Sequence, residues 1–186
     1  MGKAILITGG ARSGKSSYAE KLARELGGNV LYIATSIPFD EEMKSRVKKH
    51  RESRPSEWDT YEGYRGLGQV ISEKGGQYKG ILLDCITVMV TNLLLEYPGI
   101  DYDNARYEDF IKAEEEIVKE IDELLRGISE TPSTVIMVTN ELGSGIVPEN
   151  LLGRVFRDIA GRVNQRIAAS CDEVYLAVCG LPLKLK

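Results

Sequence analysis

Long apolar runs and a basic excess are both missing from this sequence. The longest apolar stretch, residues 82–95, is interrupted by Asp84, Thr87, Thr91 and Asn92. It falls short of the ~18 continuous apolar residues that a membrane span needs. Asp and Glu number 28 against 24 Lys and Arg, which gives a formal net charge of −4. We therefore expect no membrane span, and no nucleic-acid partner either, because proteins that bind nucleic acid usually carry a basic excess.

Cysteine and histidine are also scarce. The three cysteines, Cys85, Cys171 and Cys179, are far apart and show no C-x-x-C spacing, so no cysteine-rich metal site is indicated. An odd number of separated thiols is typical of reduced cysteines. Because disulfides follow the redox compartment, we expect a cytoplasmic protein. His50 is the only histidine.

Continuous apolar strands alternate with amphipathic helices along the 186 residues. Strands are predicted at residues 4–8, 30–34, 80–84, 134–138 and 173–178, with shorter ones near 58–61 and after Pro182. Helices are predicted at residues 15–26, 40–52, 86–95, 103–128 and 150–170. Strands that are apolar throughout are covered on both faces. The sequence therefore predicts one domain over residues 1–186, with a mostly parallel, doubly wound α/β sheet.

The segment between the first strand and the first helix has the pattern of a phosphate-binding loop. Residues 9–16 read GGARSGKS and fit G-x-x-x-x-G-K-[ST] in full. Glycines let the backbone curl so that N–H groups point at phosphate oxygens, and the following helix adds its positive amino-terminal end. In this pattern Lys15 reaches the β and γ phosphates and Ser16 ligates Mg²⁺. The predicted fold class is a P-loop NTPase of the RecA-like kind, with helices on both faces of the sheet.

An acidic side chain at a neighbouring strand end would complete the metal site. Asp84 ends the apolar strand GILLD, and such an acid holds the shell of Mg²⁺ in P-loop enzymes. A carboxylate at a strand end also serves in local hydrogen bonding, so this simpler interpretation stays open. Glu141 follows the strand at 134–138, at the sheet edge where ligands bind in this architecture. It is a second candidate for a metal or water-positioning residue.

The sequence around His50 is basic. Arg46, His50 and Arg54 recur every four residues, a spacing that places side chains on one face of a helix. The predicted helix 40–52 includes the first two, and Arg54 lies just beyond its end. A neutral imidazole is a competent nucleophile, and neighbouring cations could stabilise a departing pyrophosphate. Basic residues late in a helix also complement its dipole without any catalytic role. The pattern by itself leaves both interpretations open.

Six segments, in this order, resemble those of one known family. They are GGARSGKS at 9–16, LYIAT at 31–35, a predicted helix with His50 near its end and Arg54-Pro55 after it, LLDCITVMVTNLL at 82–94, VTNELGSGIVPEN at 138–150 and FRDIAGRVNQRIA at 156–168. On these segments the chain resembles, over nearly its whole length, the bifunctional adenosylcobinamide kinase/adenosylcobinamide-phosphate guanylyltransferases of cobalamin biosynthesis. The segment at 138–150 is far more specific to that family than the phosphate-binding loop.

The resemblance implies two reactions. The hydroxyl of adenosylcobinamide is phosphorylated by ATP or GTP, and GMP from GTP is then joined to that phosphate, which yields adenosyl-GDP-cobinamide and pyrophosphate. In this family the second reaction passes through a guanylylated histidine, and His50 stands at the matching position. The resemblance also implies His50 and Lys15 as catalytic residues, Mg²⁺ held by Ser16 and Asp84, and a homotrimer with sites shared between subunits.

The family's nucleotide-contacting segments fall on the phosphate-binding loop and four further stretches. The nucleotide-binding residues implied are Gly9, Gly10, Ala11, Arg12, Ser13, Gly14, Lys15, Ser16, Ala34, Thr35, Ser36, Arg51, Glu52, Ser53, Arg54, Glu62 and Asp84.

Two positions depart from some family members. Lys49 stands where those members have a first histidine, whose supporting role is absent here or taken by the lysine. Asp84 stands where some have glutamate, so metal contact would be direct in one case and water-bridged in the other.

Two other functions remain compatible with a phosphate-binding loop. One is a kinase of an unrelated small metabolite, and the other is a nucleotide-dependent switch that regulates a partner. The chain has no N-K-x-D motif, which disfavours a GTPase switch. Tyr102, Tyr107 and the Val147-Pro148 pair are candidates for either subunit or substrate contacts, and the sequence offers no physical argument that chooses.

Overall fold

The fold is an α/β sheet with helices on both faces, as the sequence predicts. A computed structural model describes residues 2–36, 55 and 57–186, so the helix predicted at 40–52 lies outside the described residues. The strands in the described part of the chain are β1 (Ala4–Thr8), β2 (Val30–Ala34), β3 (Asp59–Glu62), β4 (Gly80–Asp84), β5 (Thr134–Val138), β6 (Glu173–Val178) and β7 (Leu181–Lys184).

The strand order across the sheet is β3-β2-β4-β5-β1-β6-β7. All neighbouring pairs are parallel except β6 and β7, which form an antiparallel hairpin. β1 therefore lies between β5 and β6, and β5 separates it from β4. Because parallel strands end at the same edge, the segments that follow β1 to β5 meet there.

The described helices are α1 (Lys15–Glu25), α2 (Leu67–Lys74), α3 (Ile86–Leu95), α4 (Ile111–Glu130) and α5 (Leu151–Ser170). The helix α2 has no counterpart in the sequence predictions. The helix predicted from Asp103 begins only at Ile111, after a short 3₁₀ turn. The reason is local: the Asp101 carboxylate accepts hydrogen bonds from the Asp103 N–H at 3.2 Å and the Asn104 amide at 2.9 Å, which forms a polar turn instead.

The two faces of the sheet are covered by separate apolar clusters. On one face, residues such as Leu6, Leu83 and Met137 pack with buried side chains of α2 to α5. On the other, Ile7 and Val138 belong to the cluster that holds the buried alanines of α1. Neighbouring strand residues thus point to opposite covered faces, which explains why the strands are apolar throughout.

Two glycines allow α2 and α4 to touch through their backbones. A Cβ on Gly68 would lie 2.0 Å from the Glu123 carbonyl oxygen, and one on Gly127 would lie 2.1 Å from the Gly68 carbonyl oxygen. No larger residue fits without separating the helices. None of the helices in the described ranges is long and apolar enough to cross a membrane.

Candidate active site

The carboxyl ends of the parallel strands bring the predicted site residues to one edge of the sheet. The strand register aligns Ala34 with Asp84 on one side and with Glu62 on the other. It also aligns Asp84 with Val138, the last residue of β5. Open α/β sheets bind their ligands at this edge. Three of the predicted nucleotide-binding residues therefore lie where such a site is expected.

The phosphate-binding loop has the backbone that its glycines predict. Gly9 and Gly14 adopt positive φ values of 156° and 94°, which suit glycine. Space also requires it, because a Cβ on Gly9 would lie 2.6 Å from the Ala177 carbonyl oxygen. The helix α1 begins at Lys15, directly after the loop, so its positive end faces the loop. The Lys15 ammonium donates to the Gly10 carbonyl oxygen at 3.0 Å, across the loop.

The remaining loop residues divide into an exposed rim and a more buried base. Ala11 and Arg12 are exposed, Ser13 is buried and Ser16 is half-buried. Arg12 adopts a φ of 59°, a left-handed conformation that non-glycine residues rarely adopt. The Ser16 hydroxyl stands in the first turn of α1, where the loop pattern predicts a metal ligand.

The hairpin between β6 and β7 supports the phosphate-binding loop. The Gly180 N–H donates to the Ser13 carbonyl oxygen at 2.9 Å. A Cβ on Gly14 would lie 2.8 Å from the Gly180 Cα, so the loop and the hairpin turn are in direct contact. Cys179 and Gly180 have φ values of 53° and 80°, as in a two-residue hairpin turn. Sequence analysis missed this contact because it joins segments far apart in the chain.

Lys15 lies close to the charge of Asp84. Partial burial lowers the pKa of the Lys15 ammonium, while the neighbouring Cys85 and Asp84 act to raise it. Burial raises the pKa of the Cys85 thiol to about 11, with the Asp84 charge adding to the effect, so this thiol is protonated at neutral pH. Tyr32 donates its hydroxyl to Asp84 Oδ2 at 3.0 Å. That bond fixes the carboxylate at the end of β4 and is the local role that a strand-end acid can have.

A second hydrogen-bonded cluster fixes the segment after β2. The Thr35 hydroxyl donates to the Cys85 carbonyl oxygen at 2.8 Å and accepts from the Cys85 N–H at 2.9 Å. The Asn92 side-chain amide donates to the Thr35 carbonyl oxygen at 2.8 Å. Ala34 to Ser36 are thereby held beside the end of β4. A buried asparagine within the apolar helix α3 was the available sequence signal, and Asn92 was not predicted as a site residue.

The two glutamates at this edge occupy different places. Glu62 is an exposed residue at the end of β3. Glu141 follows β5, and its N–H donates to the Gly9 carbonyl oxygen at 3.1 Å. The Glu141 carboxylate accepts a hydrogen bond from the Gly143 N–H at 2.7 Å. The structure thus places Glu141 at the sheet edge, as predicted, and also next to the phosphate-binding loop, with one carboxylate oxygen engaged in its own turn.

Some predicted residues are not placed. His50 and residues 51–54 lie outside the described part of the chain, as does Lys49. Tyr102 is half-buried and donates its hydroxyl to the Leu94 carbonyl oxygen at 2.6 Å, so only part of its ring is accessible for a contact. Tyr107 and Val147 are exposed, so both stay candidates for subunit or substrate contacts.

The fold and the loop define the class of protein. A parallel sheet whose first strand runs into a G-x-x-x-x-G-K-S loop and a helix is the P-loop NTPase architecture. The chain is similar in fold to a solved ATPase from the type III secretion system of pathogenic bacteria, with a TM-score of 0.51 and 13% sequence identity over 99% of this chain and 58% of that one.

The particular family follows from comparison of the sequence. The model of the family "Cobinamide kinase / cobinamide phosphate guanyltransferase" matches residues 5–185. The bifunctional adenosylcobalamin biosynthesis protein CobU of Escherichia coli is 48% identical over 182 residues, 98% of this chain and 99% of that protein. CobU of Salmonella typhimurium is 50% identical over the same shares. The chain belongs to this family and is a cobinamide kinase and cobinamide phosphate guanylyltransferase, which decides against a switch protein or a kinase of another metabolite.

Proposed function

We propose that this protein phosphorylates adenosylcobinamide with ATP or GTP and then joins GMP from GTP to the new phosphate, forming adenosyl-GDP-cobinamide. The observation that carries the proposal is the family match over residues 5–185, and the grouping of Lys15, Asp84 and Glu141 near one glycine loop supports the use of a triphosphate. The pKa of Lys15 responds to Asp84, and the Glu141 N–H donates to the Gly9 carbonyl oxygen. Both reactions handle a triphosphate, so one loop can serve both.

In the kinase reaction the protein contributes position and positive charge. The loop N–H groups and the amino-terminal end of α1 hold the β and γ phosphates. Lys15 leaves the Gly10 carbonyl oxygen to bind them, which is favourable because its partial desolvation strengthens an interaction with an anion. Phosphoryl transfer has little covalent chemistry for a protein to supply, so these contacts carry most of the catalysis.

The donor set fits Mg²⁺ as the cofactor. No group of three or more His, Cys, Asp or Glu side chains that could hold a metal occurs among the described residues. A hydroxyl from Ser16 and a carboxylate from Asp84 are hard oxygen ligands, and Mg²⁺ is commonly held by one or two protein oxygens together with substrate phosphates. When bound, the ion would neutralise charge that develops on the phosphates.

In the transfer reaction His50 is the nucleophile in this proposal. Its imidazole nitrogen forms a bond to the α-phosphorus of GTP, and the bond from that phosphorus to the bridging oxygen breaks, so that pyrophosphate leaves. A phosphate oxygen of adenosylcobinamide phosphate then forms a bond to the guanylyl phosphorus, and the phosphorus–nitrogen bond breaks to restore the imidazole. Arg51 to Arg54, next in the chain, supply cations and polar groups for the nucleotide. Support comes from the family resemblance and from imidazole chemistry.

The proposal extends to the state of the protein in the cell. We propose one nucleotide-binding domain over residues 1–186, a homotrimer and a cytoplasmic location, with Ala34 to Ser36 and Glu62 as further nucleotide contacts. Light scattering of the purified protein measures the mass of the assembly. A mass of one or two chains would contradict the trimer without affecting the assignment of the reactions.

Replacement of Lys15 tests the role of the loop. Lys15→Met keeps the length of the side chain and removes its charge, so we expect both activities to fall by roughly 100-fold or more, the scale of losing one preorganised electrostatic contact. The matched control is Lys21→Met on the same helix, where the ammonium is exposed and pairs with Glu25 at 3.8 Å. Full kinase activity in Lys15→Met, measured with labelled ATP and cobinamide, would show that the loop is not the kinase site.

A further inference from the structure

A closed ring of hydrogen bonds lies behind the loop that follows β5. The Asn140 N–H donates to the Thr87 hydroxyl oxygen at 2.6 Å. The Thr87 and Thr139 hydroxyls are 3.1 Å apart, and the Thr139 hydroxyl donates to the Asn164 side-chain oxygen at 2.7 Å. The Asn164 side-chain amide closes the ring on the Asn140 carbonyl oxygen at 3.0 Å. Both main-chain polar groups of Asn140 are therefore held by side chains from α3 and α5.

The direction of every bond in this ring follows from its members. Thr139 has one hydroxyl proton, and that proton is directed to Asn164, so Thr87 must donate to Thr139. The Thr87 oxygen is then free to accept from the Asn140 N–H. Asn164 accepts through its oxygen and donates through its nitrogen, which no carboxylate or aliphatic residue can do. The ring therefore has one consistent arrangement, which gives it geometric specificity.

The ring ends one residue before a contact with the phosphate-binding loop. The Glu141 N–H donates to the Gly9 carbonyl oxygen, and Gly9 is the first residue of the loop. We infer that Thr139 and Asn164 are positioning residues for the known reactions, because they fix Asn140 and thereby set Glu141 and the start of the loop. This inference rests on the proposed role of the loop as the nucleotide site.

Replacing one ring member with a residue of similar shape tests the inference. Thr139 is 1% exposed, and Thr139→Val keeps its volume while removing the hydroxyl. Thr139→Ser keeps the hydroxyl. Asn164→Asp keeps the acceptor and loses the donor. The matched control is Thr131→Val, since Thr131 is also buried, at 2% exposure, and stands before β5 at the opposite edge of the sheet.

The readout is kcat of the kinase reaction and of the transfer reaction, with KM for GTP and for cobinamide. The melting temperature of each variant is measured alongside. We expect Thr139→Val and Asn164→Asp to lower kcat at least tenfold while KM for GTP changes less than threefold, because the loop amides that bind the ground state remain. Thr139→Ser should restore kcat to within threefold of the wild type. Thr131→Val should leave kcat unchanged at a comparable loss of melting temperature.

Two results would overturn the inference. One is an unchanged kcat in Thr139→Val. The other is a loss of kcat in Thr131→Val as large as that in Thr139→Val, with the two variants melting at the same temperature. Either result would leave the proposed function intact, since that proposal depends on Lys15→Met. Loss of kcat in Thr139→Val together with full activity in Lys15→Met would instead place the site elsewhere and remove the basis of both.

Discussion

At the scale of single residues, the carboxylate of Asp84 is the group that the structure ties most closely to the proposed chemistry. It stands at the end of a buried strand, accepts a hydrogen bond from Tyr32 and acts on the charge of Lys15. Two such opposite charges beside a glycine loop can hold a cation and a phosphate at once. The structure shows the simpler role of Asp84 in local hydrogen bonding. The bond from Tyr32 fixes the carboxylate and leaves its other oxygen for metal binding.

Asp84→Asn should lower both activities by roughly 100-fold, because a neutral amide is a poor Mg²⁺ ligand and metal stabilisation of developing charge is worth several kcal/mol. Asp84→Glu is the matched control, since it keeps the charge and some members of the resembled family have glutamate here. Activity should be measured over a range of Mg²⁺ concentrations. An Asp84→Asn protein with wild-type activity at every Mg²⁺ concentration would contradict the metal role.

A second residue-scale prediction concerns stability rather than catalysis. Glu173 accepts hydrogen bonds from Lys3 at 2.5 Å, Tyr175 at 2.8 Å and Lys184 at 3.0 Å. The hydrogen bonds from these three groups, that from Lys3 above all, hold the pKa of Glu173 down to about 2, below the ~4.3 of an unfolded glutamate. A lowered folded-state pKa stabilises the protein above the unfolded value, and this contribution is lost as pH falls towards 2.

Glu173→Gln should therefore lower the free energy of unfolding by about 1 kcal/mol at pH 7, a modest value because the side chains of Lys3 and Lys184 are 48% and 53% exposed. The difference from the wild type should shrink between about pH 5 and pH 2. Urea unfolding at several pH values measures it. A difference that stays constant across this range would show that the charge of Glu173 contributes nothing.

At the scale of elements, the contact between α2 and α4 sets a strict size limit. The Gly127 Cα faces the Gly68 backbone so closely that a Cβ would meet the Gly68 carbonyl oxygen at 2.1 Å. Backbone cannot move aside as a flexible side chain can. The helices would have to separate, and the buried residues of both would lose contacts.

Gly127→Ala should lower the free energy of unfolding by about 3 kcal/mol, at the upper end of the usual range for overpacking. Gly161→Ala is a matched control within α5, because a Cβ there meets nothing within 4 Å. That substitution should raise stability by up to ~1 kcal/mol through helix propensity. Thermal or urea unfolding of both variants compares them. Equal effects of the same sign would mean that the close approach of α2 and α4 is not tight.

At the scale of the whole molecule, the sequence predicts elements that are defined by a few consecutive residues and misses contacts between segments far apart in the chain. The apolar strands β1, β2, β4, β5 and β6 were predicted with the bounds that the structure shows, because a buried strand is a short continuous pattern. The helix α2 was missed since its eight residues offer too little periodicity to identify.

The candidate site likewise has features that consecutive residues predict and features that depend on contacts between distant segments. The phosphate-binding loop and Asp84 were found because each is defined by a few consecutive residues. The support from Gly180, the bond from Asn92 to Thr35 and the ring through Asn164 join segments that only the folded sheet brings together. Their residues are ordinary in isolation, so no local pattern marks them. The catalytic role of His50 stays a prediction from the family resemblance, because physical reasoning from the sequence alone left it open.

The two-step transfer of GMP through His50 is the central claim about this molecule, and one measurement addresses it directly. The protein is incubated with GTP and Mg²⁺ without cobinamide, and its intact mass is recorded. We expect the wild type to gain the mass of one GMP unit, lost again in acid as a phosphorus–nitrogen bond is, and His50→Ala to gain nothing. A GMP adduct of equal yield on His50→Ala would contradict the claim.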